Sequence, residues 1–261
     1  MITRKSRAEI EKMRVAGRVV AEVLALLEEH LRAGVTTAEL DRLAERHIRA
    51  AGMTPSFKDY IGNARYDPKH PHAYPATLCI SIDDEVVHGI PGRRQVRDGQ
   101  LVSIDVGAIH QGWHADAART FIVGDAPESA RRLVAATRRA LDAGIGAARP
   151  GNRVGDIGAA VEDVATEGGF GIVRTFVGHG IGTDMHQDPQ VPNFRSPARG
   201  VQLQAGMCLA IEPMLTLGGD DVEVLEDGWT VATVDGALAA HFEDSVALTT
   251  DGPVVLTRLE G

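Results

Sequence analysis

Two stretches of this chain follow one plan. The segment RAGVTTAELDRLAERHIRAAG at 32–52 aligns without gaps on RPGNRVGDIGAAVEDVATEGG at 149–169. Both copies open on Arg-X-Gly, carry an acidic residue at the same offset in a helical stretch, and stop on glycine. Two copies are too few for a solenoid, which needs three or more. They point instead to two α+β halves packed about a pseudo-two-fold axis. Short alanine-rich helices also resemble one another by chance, and the alignment alone leaves both readings open.

The flanking elements follow the same plan. Ser6 followed by Glu9 makes a capping box. It opens a helix whose apolar residues Ile10, Met13, Val19, Val20, Val23, Leu24, Leu26 and Leu27 recur at helical spacing to about Leu31. Thr36 and Glu39 make a second capping box, and Gly52 stops the helix that follows. From there to about Ala76 the chain is rich in Pro, His, Asn and Tyr and reads as a functional loop. TLCISI, LVSIDVGAI and ARTFIVG read as strands, and a helix from Glu128 to about Ala148 precedes the second copy. In the last third, MCLAIEPML, GWTVATV and HFEDSVALT alternate apolar and polar residues as strands do. No Pro-rich or Ser-rich linker divides the chain. A single domain over 1–261 is expected, with repeat halves at about 1–125 and 126–261.

Composition narrows the class of function. Hydrophobic residues make up 44% of the 261 and charged residues 24%, which suits a globular protein with a substantial core. A net charge of −9 argues against a nucleic-acid binder with a broad basic surface. It is compatible with a cationic ligand such as a peptide amino terminus. The segment MITRKSRAEIEKMR lacks the apolar core of a signal peptide, and no stretch reaches the length of a membrane span. Cys79 and Cys208 form no CxxC and imply no disulfide framework. A cytoplasmic protein is expected.

Five side chains carry the chemistry: Asp105 in SIDVG, Asp116 in HADAART, His179 in GHGIG, Glu212 in AIEPM and Glu243 in HFEDS. Hard oxygen donors with one imidazole suit a divalent ion. Four carboxylates exceed what one zinc or magnesium ion usually takes, and suit two ions sharing bridging carboxylates, as in hydrolases. Asp105 and Asp116 flank a turn at 110–113. If His110 and Gln111 form that turn, the two aspartates are directly opposite. If Gln111 and Gly112 form it, Asp116 faces Gly107. Side chains alternate with period two, so either register puts both carboxylates on one face, where a cation relieves their repulsion. The alternative is a solvated pair at a hairpin end. The glycines beside His179 leave its backbone free to turn sharply, although a lone His in such a turn is commonly a surface residue. Glu212 and Glu243 follow apolar runs, and a buried Glu needs a partner. That partner is a metal ion or an unseen Arg or Lys.

Together EVVHGIPG, SIDVGAIHQGWHADAARTF, GHGIGTDMHQDPQVPNF, GMCLAIEPM and WTVATVDGALAAHFEDSVALT resemble the type I methionine aminopeptidases, over nearly the whole chain. The resemblance implies an α+β pita-bread fold, two pseudo-symmetric halves around a central antiparallel sheet. It implies two divalent ions (cobalt, manganese, iron, zinc or nickel), with Asp105 chelating one, His179 and Glu212 binding the other, and Asp116 and Glu243 bridging. It implies removal of the initiator methionine from nascent proteins whose second residue is small, by a monomer in transient contact with the ribosome. Glu212 resembles the proton shuttle, and His186 the histidine that hydrogen-bonds the substrate carbonyl. His88 resembles the one near the scissile amide nitrogen. Tyr74, Cys79, Met185 and Trp229 resemble the methionine pocket. Met185 stands where relatives often have Phe, and Gly107 where many have Thr. Two rivals remain: a proline-specific aminopeptidase or dipeptidase of the same fold, and an inactive binding module that has lost its ligands.

Overall fold

The computed structural model describes residues 2–61 and 73–259. Part of the expected 52–76 loop, residues 62–72, lies outside them. Helices α1 (Arg7–His30) and α2 (Thr37–Ala50) lead into β1 (Thr54–Pro55), β2 (Leu78–Ile82), β3 (Glu85–Val87), β4 (Leu101–His110) and β5 (Trp113–Ile122). Helices α3 (Glu128–Ala147) and α4 (Val154–Gly168) lead into β6 (Gly171–Ile172), β7 (Gly178–Gly180), β8 (Gln187–Val191), β9 (Cys208–Ile211) and β10 (Met214–Thr216). The chain closes with β11 (Val222–Val224), β12 (Val231–Thr233), β13 (Ala239–His241), β14 (Asp244–Thr249) and β15 (Gly252–Val255).

Both expected capping boxes form. Ser6 Oγ accepts from Glu9 N at 3.3 Å while Glu9 accepts from Ser6 N at 2.7 Å. Thr36 and Glu39 do the same at 3.3 and 2.8 Å. In the second copy Arg153 occupies the Thr36 position, and its N–H donates to Asp156 at 2.8 Å. The repeated helices also start alike: Thr36 bridges to Gln95, and Arg153 to Gln202.

The central sheet is antiparallel and crosses both halves. β2 and β1 pair with one edge of β4, and β5 with the other. The next contacts join β5 to the β13–β14 junction: Glu243 N donates to Ala118 O at 2.9 Å, and Ala118 N to Glu243 O at 3.3 Å. β14 pairs with β9, β13 with β10, and β9 with β7. One face of this sheet is apolar. Ile80, Ile82, Val102, Ile104, Val106, Ala115 and Ala117 pack there with Val20, Val23, Leu24 and Leu27 of α1 and with Leu40 and Ile48 of α2. Leu209, Ile211, Val246 and Leu248 pack with Leu141 and Ile145 of α3 and Ile157 of α4. Period-two alternation then sends the intervening residues to the opposite, concave face.

Two expected strands are broken. MCLAIEPML divides into β9 and β10 at Glu212–Pro213, and HFEDSVALT divides between the end of β13 at His241 and the start of β14 at Asp244. Pro213 has no N–H for the ladder. The partner chain breaks at the same rung, Phe242–Glu243, and the register resumes unshifted on the far side. His179 is also unlike its expectation. It lies in a short buried strand, not a sharp turn. A Cβ at Gly178 would stand 2.4 Å from Ala210 O, and one at Gly180 2.1 Å from Asp188 O. Those glycines are there for close strand approach. No helix among the described residues is long and apolar enough to cross a membrane.

Behind the β13–β14 break, Asp244 is fully buried on the helix-side face. Its carboxylate accepts from Arg119 Nη2 at 2.6 Å, Thr257 Oγ1 at 2.8 Å and Arg258 Nε at 2.8 Å. Asp244→Ala removes the buried carboxylate from Arg119 and from Arg258, leaving Arg258 only Asp142 and Arg119 only backbone oxygens, and we expect a loss of about 3 kcal/mol. Arg258→Ala, at a side chain 42% exposed, should cost under about 1 kcal/mol. Urea unfolding of both variants checks the ordering.

Candidate active site

The candidate ligands fall on two successive rungs of one face of the central sheet. In one rung Gly107 opposes Asp116, Ser245 Oγ binds both N and O of Asp116 at 2.9 Å, Ser245 opposes Ala210, and Ala210 opposes His179. In the next, Cys79 opposes Asp105, Asp105 opposes Ala118, and Ala118 pairs with Glu243. Ile211 opposes Asp244, so one step further sets Glu212 against Glu243. The β4–β5 turn is the Gln111–Gly112 alternative, with φ of 50° and 81°, a two-residue hairpin with both central residues left-handed. Asp105 is therefore diagonal to Asp116 on the same face.

This face lines a cavity of about 960 Å³. Asp105, Asp116, His179, Glu212 and Glu243 all reach it, with His88, His186, Tyr74, Cys79, Met185 and Trp229. Donor atoms of Asp116, His179 and Glu243 lie within 4.8 Å of one another, and so do those of Glu212, His241 and Glu243. Asp105 belongs to neither triplet and flanks them from the first half.

Such a cluster is costly without cations. Burial raises the pKa of Asp105, Glu212 and Glu243 well above the carboxylate range, and neighbouring carboxylates add to it. Burial lifts Asp116 to about 7. Asp105 Oδ1, Asp116 Oδ1 and Glu243 Oε1 are buried without a hydrogen-bond partner. His179 Nδ1 contacts Gly180 O at 3.0 Å, so Nδ1 carries the hydrogen and the Nε2 lone pair faces Glu212 Oε1 at 3.5 Å. Burial depresses its pKa to about 3, which keeps the ring neutral. Unpartnered oxygens beside a neutral imidazole of fixed tautomer fit divalent ions. Among the described residues no Arg or Lys pairs with Glu212 or Glu243; the hydrogen bonds from Arg119 go to Asp244 and to backbone oxygens.

The opposite wall is apolar. Phe57, Tyr74, Ala76, Cys79 and Met185 form a buried cluster, with Tyr60, Ile90 and Trp229 against it. Tyr74 meets Trp229 edge-on at 5.2 Å and Phe57 at 6.5 Å. Its hydroxyl is held on Leu78 O and Gly89 O, both at 2.9 Å. His88 adopts φ 61°, a left-handed conformation uncommon outside glycine. A Cβ at Gly89 would stand 2.2 Å from Ile80 O, so the turn is docked tightly on β2. It aims the His88 ring at Phe176 and Trp229, at 5.6 and 6.3 Å. His186 meets His179 edge-on with ring centroids 4.3 Å apart, and its Nδ1 is 2.5 Å from Tyr60 Oη. Burial lowers the pKa of His88 and of His186 to about 4.

Phe57, Tyr60 and His241 are among the lining groups that escaped the sequence reading. Phe57 and Tyr60 lie in the 52–76 stretch, where no periodicity distinguishes one aromatic from another. His241 had a signal: it is two residues before Glu243 and so shares its face. The absence of a side chain at Gly107 also has a structural counterpart. A Cβ there would be 2.7 Å from Ser56 Cβ, and Ser56 fills the space, with Oγ 3.0 Å from His114 Nδ1.

Comparison with known proteins agrees with this geometry. The model of metallopeptidase family M24 matches residues 11–250. A methionine aminopeptidase of Clostridium perfringens is 47% identical over 260 residues, covering 100% of both chains. The crystal structure of a methionine aminopeptidase from Thermotoga maritima superposes with a TM-score of 0.93 at 40% identity, covering 99% of this chain and 100% of that one. A prolidase from Pyrococcus furiosus has a TM-score of 0.76 at 22% identity, covering 99% of this chain and 66% of that one, and shares the fold alone. The fold is the α+β pita-bread, and the chain belongs to metallopeptidase family M24, on its methionine aminopeptidase branch.

Proposed function

We propose that this enzyme removes N-terminal methionine, including the initiator methionine of nascent proteins whose second residue is small, with divalent metal ions. The observation that carries this reading is the division of one cavity into a carboxylate and imidazole floor and a closed apolar wall. Asp105, Asp116, His179, Glu212 and Glu243 would hold two ions, Asp116 and Glu243 shared between them, Asp105 serving one and His179 with Glu212 the other. Cobalt, manganese, iron, zinc and nickel all suit such donors. Bound there, the ions lower the pKa of water and polarise a peptide carbonyl.

The chain's own groups do the rest. Glu212, 13% exposed, moves a proton between water and the leaving amine. His186 is neutral. With the Tyr60 phenol donating to Nδ1, its Nε2 carries a hydrogen and donates to the substrate carbonyl as charge develops. His88 lies by the scissile amide nitrogen. Tyr74, Cys79, Met185 and Trp229, joined by Phe57, enclose the methionine side chain, and soft sulfur and aromatic groups suit a thioether. A free α-amino group sits at the Asp105 end, which selects chain termini. Asp105 and Asp116 come from the first half, and His179, Glu212 and Glu243 from the second. We therefore infer one catalytic domain over 1–261, with halves at about 1–125 and 126–261. We take it to act as a cytoplasmic monomer that meets the ribosome transiently.

The deciding assay compares Met-Ala and Xaa-Pro peptides, with and without chelator. We expect metal-dependent cleavage of Met-Ala; preference for the Xaa-Pro bond sinks the reading. Tyr60→Phe should lower kcat about tenfold with KM little changed, the loss of one hydrogen bond of about 1.4 kcal/mol. An unchanged kcat would remove Tyr60 from this role.

The metal-free protein should also respond to pH in a set direction. The carboxylates bind protons more tightly folded than unfolded, so stability falls as pH rises through the folded pKa, about 7 for Asp116. The lowered histidine pKa values act oppositely, but only below the ordinary 6.5. Above about pH 6.5 the carboxylates act alone. Thermal melts in chelator should show Tm falling from there to about pH 8, and excess divalent ion should abolish the slope. A flat or rising Tm in chelator contradicts the electrostatics described above.

A further inference from the structure

His241 is an imidazole in the cavity floor that the proposed reaction does not use. It ends β13, and Thr120 Oγ1 binds both its N and its O at 2.8 Å. That hydroxyl is also 2.8 Å from Ser103 Oγ. The backbone is thus clamped one rung from Glu243, on the cavity side. The residue is 2% exposed, and Nε2 is buried without a hydrogen-bond partner.

What Nε2 faces is Glu212 Oε2, at 3.6 Å. That is too long for a hydrogen bond. On the other side of the same carboxylate, His179 Nε2 stands 3.5 Å from Oε1. Glu212 is therefore bracketed by two imidazole nitrogens at nearly equal distance. Donors that share one ion at about 2.1 Å each stand roughly 3.0–3.4 Å apart, close to both spacings. Glu212, His241 and Glu243 also offer three donor atoms within 4.8 Å.

We propose that His241 is a direct nitrogen ligand of the divalent centre, acting with Glu212 and Glu243, so that the centre takes two imidazoles. The inference rests on reading the cavity floor as a metal site. A second imidazole shifts preference toward cobalt, iron, zinc or nickel and away from the harder manganese and magnesium.

The test is NMR of the full chain carrying 15N-labelled histidine, titrated with two equivalents of Zn(II). Metal-bound, protonated and free imidazole nitrogens resonate in separate ranges, and His179→Gln and His241→Gln assign the two signals. We expect both Nε2 signals to move to the metal-bound range. The His241→Gln protein should lose one of them and bind Zn(II) at least about tenfold more weakly by calorimetry. A His241 Nε2 that stays protonated in the zinc form would make it a hydrogen-bond donor to Glu212 and overturn the proposal, leaving the metal reading intact. Failure of any imidazole to move would overturn both. Should His241→Gln not fold, the wild-type spectrum with His179→Gln still decides.

Discussion

Four carboxylates on two adjacent rungs of a buried sheet face repel one another, and the rest of the molecule is organised around holding them there. Among the described residues no side-chain cation enters the cluster. Burial and mutual repulsion push Asp105, Glu212 and Glu243 toward the neutral form, and three carboxylate oxygens lack partners. A scaffold can sustain this only if its backbone is fixed by other means. Here the means are hydrogen bonds beside the cluster: Ser245 on Asp116, Ala118 on Glu243, and Asn193 Nδ2 on Glu212 O at 3.0 Å.

The compensating charges lie on the reverse of the same sheet. Asp244 follows Glu243, so alternation sends it to the helix side, where Arg119 and Arg258 meet it. Arg119 also donates to the carbonyl of Glu243. One ion pair thus anchors the strand junction whose front presents the candidate ligand.

The apolar wall solves a separate problem. Tyr74, Trp229 and Phe57 pack edge to face, an arrangement that holds ring positions without polar contacts. The Tyr74 hydroxyl is fully used by Leu78 and Gly89, so it offers the cavity its ring and not its oxygen. His88 and His186 stand between wall and floor, neutral because they are buried.

Local chemistry made much of this legible in the sequence. Both capping boxes form where Ser6–Glu9 and Thr36–Glu39 sit, because their geometry involves only a few neighbouring residues. The shared face of Asp105 and Asp116 follows from hairpin parity in either register, and the tertiary structure only chose between the two. The gathering of His179, Glu212 and Glu243 rested on resemblance. It depends on β5 meeting the β13–β14 junction and on β9 lying between β14 and β7, pairings between residues distant in the chain that no local period encodes. The break at Glu212–Pro213 could be suspected from Pro213, but the matching break at Phe242–Glu243 has no local cause. The glycines around His179 were legible as a requirement but not in their reason, which is carbonyls of neighbouring strands. Tyr60 became visible only when folding set its hydroxyl beside His186. The sequence by itself determined the capped helices and the shared face of the first pair of carboxylates, since these rest on short-range geometry. The tertiary structure decided which polar atoms are left buried and unpaired, because burial is a property of the packed whole.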